Sequence, residues 1–154
     1  MKHPLMRSHG ERKPTGYSYR IVLADDDVLY RRILKNILEA ERDLEVVGEA
    51  GDGLQLLGLL NSIPSTPELA IIDISMPNLG GIGATAKVKS AYPRLKVLMV
   101  SIHIEKEYVR EALSAGADGY LLKEGADTEL FSAIGQIRRG GIYVSPVLMR
   151  EAGL

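Results

Sequence analysis

The sequence contains no cysteine, no tryptophan and only one phenylalanine among its 154 residues. Without cysteine, neither disulfide bonds nor thiolate metal sites can form, and nothing indicates an oxidising compartment. The longest clean apolar run, residues 97–100, is far too short to cross a bilayer, and the N-terminus lacks the apolar core of a signal peptide. We therefore expect a cytoplasmic protein that makes no membrane contact.

Net charge is also small, formally −1, but it is unevenly distributed along the chain. Residues 1–20 contain five Lys or Arg and one Glu, so this segment carries +4 and the remainder carries −5. Duplex binding depends on cationic neutralisation of phosphates, so the acidic part is not expected to bind nucleic acid by itself. Prolines and glycines without apolar periodicity favour a flexible basic leader over residues 1–19.

From residue 20 onward, short aliphatic runs alternate with longer segments of helical period, as in βα units around a parallel sheet. With 45% apolar and 25% charged residues, the chain suits one globular domain. Right-handed crossovers give an α/β fold, a doubly wound five-stranded parallel sheet with helices on both faces, which binds ligands beyond the carboxyl ends of its strands. The predicted strands are residues 20–24, 45–49, 69–72, 96–100 and 119–122.

Polar residues stand at the carboxyl ends of four predicted strands. Neighbouring strands lie about 4.8 Å apart, so acidic side chains from the first and third strands converge if these strands are adjacent. Clustered carboxylates repel one another unless a cation joins them, and a hard divalent ion such as Mg²⁺ satisfies that need. The lysine and the serine hydroxyl of this set would then bind phosphoryl oxygens. The residues are Asp25, Asp26 and Asp27, Asp73, Ser101, and Lys123.

Asp73 is the best-placed nucleophile of this set, because it is single, ends its strand and precedes the loop of residues 74–81. A carboxylate can attack a phosphoryl donor and form an acyl phosphate. Each residue also has a structural explanation: Asp27 and Ser101 can cap helices, and Lys123 can be a solvated surface lysine. Their coincidence at four strand ends favours a site.

These segments resemble the receiver domain of two-component response regulators, over residues 20 to about 139. The resemblance rests on residues 20–26 (RIVLADD), 69–77 (LAIIDISMP), 97–101 (VLMVS) and 116–123 (GADGYLLK). The segments DISMP, EYVREAL and IYVSP are most similar to those of the NarL/LuxR type. The resemblance implies a flavodoxin-like, or CheY-like, fold with strand order 2-1-3-4-5.

The resemblance also implies a role for individual residues. Asp73 would accept a phosphoryl group from a phosphohistidine of a sensor histidine kinase. Mg²⁺ would be held by Asp25, Asp26 and Asp73, with help from the Ser75 backbone carbonyl. Lys123 corresponds to the invariant lysine of the family. Ser101 and the aromatic Tyr120 would form the switch, with Tyr120 turning inward after phosphoryl transfer and a homodimer forming as a result.

The output is the least defined part of this interpretation. In the NarL/LuxR type a helix-turn-helix follows the receiver, whereas this sequence stops at Leu154. Residues 140–154 are interpreted as the start of a linker, with Ser145 and Pro146 beginning a helix. The protein would then regulate transcription and would contact DNA only through a missing C-terminal domain. A stand-alone regulator that acts through protein contacts is the alternative.

The sequence departs from the family pattern after the first and fifth predicted strands, and two rival functions share some of its features. Asp27 stands where this type often has His. Glu124 follows Lys123 where many members have Pro after a cis peptide bond. A non-prolyl cis peptide costs about 3 kcal/mol, so the sequence does not decide whether the Lys123–Glu124 peptide is cis or trans. A hydrolase of the haloacid dehalogenase class needs a second acid two residues after its nucleophile, where this chain has Ser75. A dinucleotide-like pattern at residues 81–86 lacks the strand context that such a site requires. We therefore expect a signalling protein, not an enzyme.

Overall fold

The computed structural model describes residues 18–151. Almost all of the predicted leader, and the last three residues of the predicted linker, lie outside the described residues. Within them, no helix is long and apolar enough to cross a membrane. The strands are β1 Tyr19–Ala24, β2 Leu44–Ala50, β3 Leu69–Ile72, β4 Lys96–Ser101, β5 Gly119–Leu122 and β6 Tyr143–Val144. The helices are α1 Val28–Glu39, α2 Gly53–Ser62, α3 Gly81–Ala91, α4 Lys106–Ser114, α5 Ala126–Arg138 and α6 Pro146–Glu151.

The six strands form one parallel sheet in the order β2-β1-β3-β4-β5-β6. This confirms the predicted fold class and the predicted order of the first five strands. The count of five is corrected to six, because β6 pairs with the outer edge of β5. Its two residues lie between Gly140-Gly141 and Pro146, too short a run to stand out as a strand in the sequence.

Helices cover both faces of the sheet, because successive strand side chains point to opposite sides. Ile21 and Leu23 pack in a cluster with side chains of α1 and α5. Val22 and Ala24 belong to a second cluster with side chains of α2, α3 and α4. The helix residues that fill these two cores are Leu34, Leu38, Leu130 and Ile134 on the first face, and Leu56, Leu60, Val88 and Val109 on the second.

The segment after α5 packs against the domain. The Ser145 N–H donates to the Tyr120 carbonyl, and the Ser145 Oγ accepts from the Leu122 N–H at 3.2 Å. Leu148 of α6 is fully buried in the second cluster. Residues 143–148, which fall in the predicted linker, thus extend the sheet and its core. The predicted helix start at Pro146 is confirmed.

Paired charges hold the amino-terminal edge of the sheet together. Asp118, in the turn before β5, accepts a hydrogen bond from the Val97 N–H at 2.9 Å. Its carboxylate also pairs with Lys89 Nζ at 3.2 Å and Lys96 Nζ at 3.9 Å. One acid thus links α3, β4 and the start of β5, with a basic partner for each of its oxygens.

Candidate functional site

The carboxyl ends of four strands bring the predicted polar residues to one edge of the sheet. β1 and β3 are adjacent and pair Ala24 with Ile72, so the next residues, Asp25 and Asp73, lie side by side. β5 ends at Leu122, opposite Ser101, and Lys123 follows directly. The register therefore places two acids, a hydroxyl and an ammonium group at the same edge.

Three carboxylates and one ammonium group form the centre of this edge. One oxygen from each of Asp25, Asp26 and Asp73 can be chosen so that all three lie within 4.8 Å of one another. Lys123 Nζ lies 2.8 Å from Asp25 Oδ2 and 3.7 Å from Asp73 Oδ2. Asp25 and Asp73 are buried, whereas Asp26 is exposed. We call this set the acidic pocket; its negative charge exceeds what one lysine can balance.

The excess charge acts on Asp73. Burial raises the pKa of its carboxyl group to about 6, the neighbouring Asp25 carboxylate adds to the rise, and Lys123 opposes it. The ionised form of Asp73 is thus less stable in this pocket than it would be in water. A divalent cation bound to the same oxygens would remove that penalty.

The donor set fits Mg²⁺, which takes oxygen ligands from one or two carboxylates and leaves positions for water and phosphoryl oxygens. The three carboxylates of the acidic pocket supply such oxygens within a small volume. Ser75 lies in the exposed loop between β3 and α3, and ligation by its carbonyl stays a prediction.

Asp27 takes the capping role rather than joining the acidic pocket. Its Oδ1 accepts a hydrogen bond from the Tyr30 N–H at 3.0 Å, which caps α1. Its own N–H donates to Asp25 Oδ1 at 2.8 Å. The third acid of the triplet therefore starts the helix and orients the first acid.

Two residues of α1 that the sequence analysis did not single out also surround the pocket. The Tyr30 ring lies under Lys123, with Nζ 4.4 Å from the ring centroid. Arg31 donates to the Asp25 carbonyl and pairs with Glu49 at 2.9 Å. Burial raises the pKa of the Tyr30 hydroxyl, and Asp25 adds to the rise. Their position three and four residues after an N-cap at a strand end is the signal that could have identified them.

The loop after Asp73 is fixed from the side of β2. Asn78 has a left-handed backbone, φ 68°, and its Nδ2 donates to Asp52 Oδ2 at 2.7 Å. Asp52 also caps α2 by accepting from the Gln55 N–H. A Cβ on Gly81 would lie 2.0 Å from the Asp73 carbonyl oxygen, so only glycine fits there. The loop is thus held close to the phosphoacceptor candidate.

The predicted switch residues lie together in a hydrogen-bonded network around His103. The His103 N–H donates to Ser101 Oγ at 3.0 Å, and Tyr120 Oη donates to the His103 carbonyl at 2.9 Å. The Tyr120 ring is fully buried, so in this structure it already occupies the inward position that was expected to follow phosphoryl transfer. His103 Nε2 also lies 2.7 Å from Ser75 Oγ, which joins the loops after β3 and β4.

Comparison with protein families gives a direct match to this arrangement. The model of the response regulator receiver domain matches residues 21–135, which include all four strand ends of the site. The chain belongs to this family. The Lys123–Glu124 peptide of this receiver is trans, as are all others in residues 18–151.

Curated relatives place the receiver among the NarL/LuxR-type regulators. It is 39% identical to the transcriptional regulatory protein DegU of Brevibacillus brevis over 127 residues, which cover 82% of this chain and 53% of DegU. It is 35% identical to the oxygen regulatory protein NreC of Staphylococcus carnosus, covering 82% of this chain and 58% of NreC. The chain thus spans little more than half the length of these relatives.

Solved structures agree with this placement. A LuxR-family two-component response regulator from Aurantimonas sp. SI85-9A1 superposes with a TM-score of 0.83 at 29% identity, covering 88% of this chain and 96% of that one. The signal receiver domain of the response regulator NarL from Mycobacterium tuberculosis gives 0.75 at 34% identity, covering 81% and 99%. The chain is a receiver domain of this type of two-component response regulator.

Proposed function

We propose that Asp73 is the phosphoacceptor of this receiver. The observation that carries the proposal is the position of its carboxylate, buried beside Asp25 with Lys123 Nζ 3.7 Å from Oδ2. One Asp73 oxygen attacks the phosphorus of a kinase phosphohistidine, an O–P bond forms and the N–P bond breaks. The imidazole nitrogen keeps the electron pair and later takes a proton from solvent.

Lys123 and Ser101 stabilise the transferred group. The Lys123 ammonium, now paired with Asp25 at 2.8 Å, is close enough to Asp73 to neutralise a phosphoryl oxygen. The Ser101 hydroxyl is buried at the end of β4 and would donate to another oxygen by leaving the His103 N–H. Ser101 and Tyr120 would then form the switch through His103, because movement of Ser101 would disturb the residue whose carbonyl holds Tyr120 in its inward position.

Mg²⁺ belongs to the same proposal, held by Asp25, Asp26, Asp73 and the Ser75 carbonyl. When bound, the ion neutralises charge on the incoming phosphoryl group and on the carboxylates. Asp25 and Asp26 hold it beside Asp73, and Arg31 keeps the Asp25 backbone in place through its carbonyl.

The relatives support a proposal for the partner and the output. A sensor histidine kinase is the proposed donor, a homodimer the proposed phosphorylated form, and the cytoplasm the proposed location. DegU is named a transcriptional regulatory protein, which supports a DNA-binding output carried by another domain. Leu29 and Ile33 of α1 are 70% and 55% exposed and offer an apolar surface to a protein partner. A regulator that acts without DNA is the alternative.

Intact-mass spectrometry after incubation with acetyl phosphate and Mg²⁺ tests the assignment. The unmodified protein is expected to gain one phosphoryl group, whereas Asp73→Asn gains none, because an amide is not a nucleophile of this kind. Asp27→Asn is the matched control, since Asp27 caps α1, and it should be labelled like the unmodified protein. Equal labelling of Asp73→Asn would contradict the proposal.

A Mg²⁺-dependent aspartyl-phosphate hydrolase remains the rival activity. Ser75 occupies the position where such an enzyme needs its second acid, and its hydroxyl bonds to His103. A receiver should release phosphate no faster than its acyl phosphate decays, without turnover of a small phosphomonoester. Sustained release from such a substrate would favour the hydrolase.

A further inference from the structure

The start of α1 brings an aromatic ring into contact with the lysine of the acidic pocket. The Asp27 cap fixes the Tyr30 backbone through the 3.0 Å bond from the Tyr30 N–H. The Tyr30 ring then faces Lys123, whose Nζ lies 4.4 Å from the ring centroid. This distance lies within the range of a cation–π contact.

Lys123 therefore has three neighbours that restrict its ammonium group. Asp25 Oδ2 at 2.8 Å and Asp73 Oδ2 at 3.7 Å attract it from the pocket, and the Tyr30 ring covers it from α1. A lysine side chain has four rotatable bonds and loses much conformational freedom when it is held in one position. A rigid ring beside the ammonium group limits the alternatives before any phosphoryl group arrives.

The ring, rather than the hydroxyl, makes this contact. Tyr30 Oη is buried and has no hydrogen-bond partner among the described residues. Lys123 touches the ring face, and no hydrogen bond between the hydroxyl and Lys123 accompanies that contact among the described residues. Removing the hydroxyl alone would therefore leave the neighbours of Lys123 unchanged.

We propose that Tyr30 is a positioning residue for Lys123: its ring holds the ammonium group between Asp25 and Asp73, ready to bind a phosphoryl oxygen. The proposal rests on the proposed function of Asp73 as phosphoacceptor. Tyr30 acts through Lys123 and not through the metal ligands, because its contact with the pocket is with the ammonium group.

Rates of phosphoryl uptake from acetyl phosphate at saturating Mg²⁺ test this role by mass spectrometry. Tyr30→Leu is expected to slow uptake about five-fold, whereas Tyr30→Phe keeps the ring and stays within about two-fold of the unmodified protein. In a Lys123→Met background, Tyr30→Leu should produce no further slowing, because the residue that it positions is gone. Mg²⁺ affinity, measured by calorimetry, should be the same for all Tyr30 variants.

Tyr19→Leu is the matched control. The Tyr19 ring lies 4.3 Å from the Arg138 guanidinium carbon at the opposite end of the sheet, so this variant loses a similar contact away from the pocket. Its uptake rate, measured well below its unfolding midpoint, should equal that of the unmodified protein. Equal slowing by Tyr19→Leu, or slowing by Tyr30→Leu that persists in the Lys123→Met background, would overturn the positioning role.

A spectroscopic measurement makes the test independent of the uptake rates. An ammonium group over a ring face carries ε-methylene protons that are shifted upfield by the ring current. The Lys123 ε-protons should show this shift in the unmodified protein and in Tyr30→Phe. Ordinary lysine shifts in both would overturn the proposal, whereas failure of the unmodified protein to take up phosphoryl groups would instead reject the proposed function.

Discussion

The two ends of the parallel sheet both carry acids next to lysines, half-buried at one end and buried at the other, but the charges are matched at only one of them. At the amino-terminal edge, Asp118 has two lysines and a backbone N–H around one carboxylate. At the carboxyl-terminal edge, Asp25 and Asp73 share one lysine, with Asp26 close by. The first arrangement stabilises the fold; the second keeps a site that is short of positive charge.

Removing the acid at the matched edge should have the largest effect on stability. Asp118→Ala leaves Lys89 and the Val97 N–H without their carboxylate partner, at a cost of about 3 kcal/mol in the free energy of unfolding. Urea unfolding measures it. Asp118→Asn keeps an acceptor oxygen and should lose less. A change below about 0.5 kcal/mol in Asp118→Ala would mean that the pairing contributes little.

Removing an acid at the other edge should have the opposite sign. Because the folded-state pKa of Asp73 is raised to about 6, its contribution to stability is fully present below the unfolded pKa and is lost as pH rises through 6. Metal-free Asp73→Asn should therefore be more stable than the unmodified protein by about 2 kcal/mol at pH 7, with the difference shrinking toward pH 4.

Urea unfolding in a chelator at several pH values measures this difference. Asp25, Asp26 and Lys123 face Asp73 in both proteins, so the difference reports Asp73 together with its interactions with these three groups. Added Mg²⁺ should stabilise the unmodified protein more than Asp73→Asn. A difference in stability that does not change with pH would show that folding does not raise the pKa of Asp73.

Substitutions in the acidic triplet of residues 25–27 can separate Mg²⁺ binding from capping of α1. Asp26→Ala should weaken Mg²⁺ binding at least ten-fold, because it removes an oxygen of the acidic pocket. Asp27→Ala should change Mg²⁺ binding far less but lower stability by about 1 kcal/mol, since it removes the cap of α1. Calorimetric titration and thermal unfolding distinguish them, and the reverse ranking would exchange their roles.

The smallest effect is expected at the bond between the two loops of the carboxyl-terminal edge. His103→Ala removes the 2.7 Å contact with Ser75 and should shorten the lifetime of the acyl phosphate several-fold, about 1 kcal/mol, without preventing uptake. Ser75→Ala removes the same contact from the other loop and should act in the same direction. The decay of the labelled mass gives both rates, and unchanged decay would show that the contact between His103 and Ser75 does not affect hydrolysis of the acyl phosphate.

The strand ends of this site were predictable because each polar residue directly follows an apolar run, and parallel strands bring such residues to one edge. The contact of Tyr30 with Lys123 was not, because it joins the start of α1 to the residue after β5, which the tertiary fold and not local spacing brings together. The inward position of Tyr120 could not be predicted from the sequence either, since its orientation depends on a hydrogen bond to the His103 backbone carbonyl. β6 escaped prediction because two residues carry no period.

That short strand covers the β5 side of the sheet. An uncovered β5 would present a row of unpaired backbone groups that another chain could extend, the usual origin of edge-to-edge aggregation. β6 instead forms the margin with only Tyr143 and Val144, and Pro146, which has no N–H to donate, follows after Ser145. Residues 143–146, which lie in the predicted linker, therefore also limit the pairing of β5 with strands of other chains.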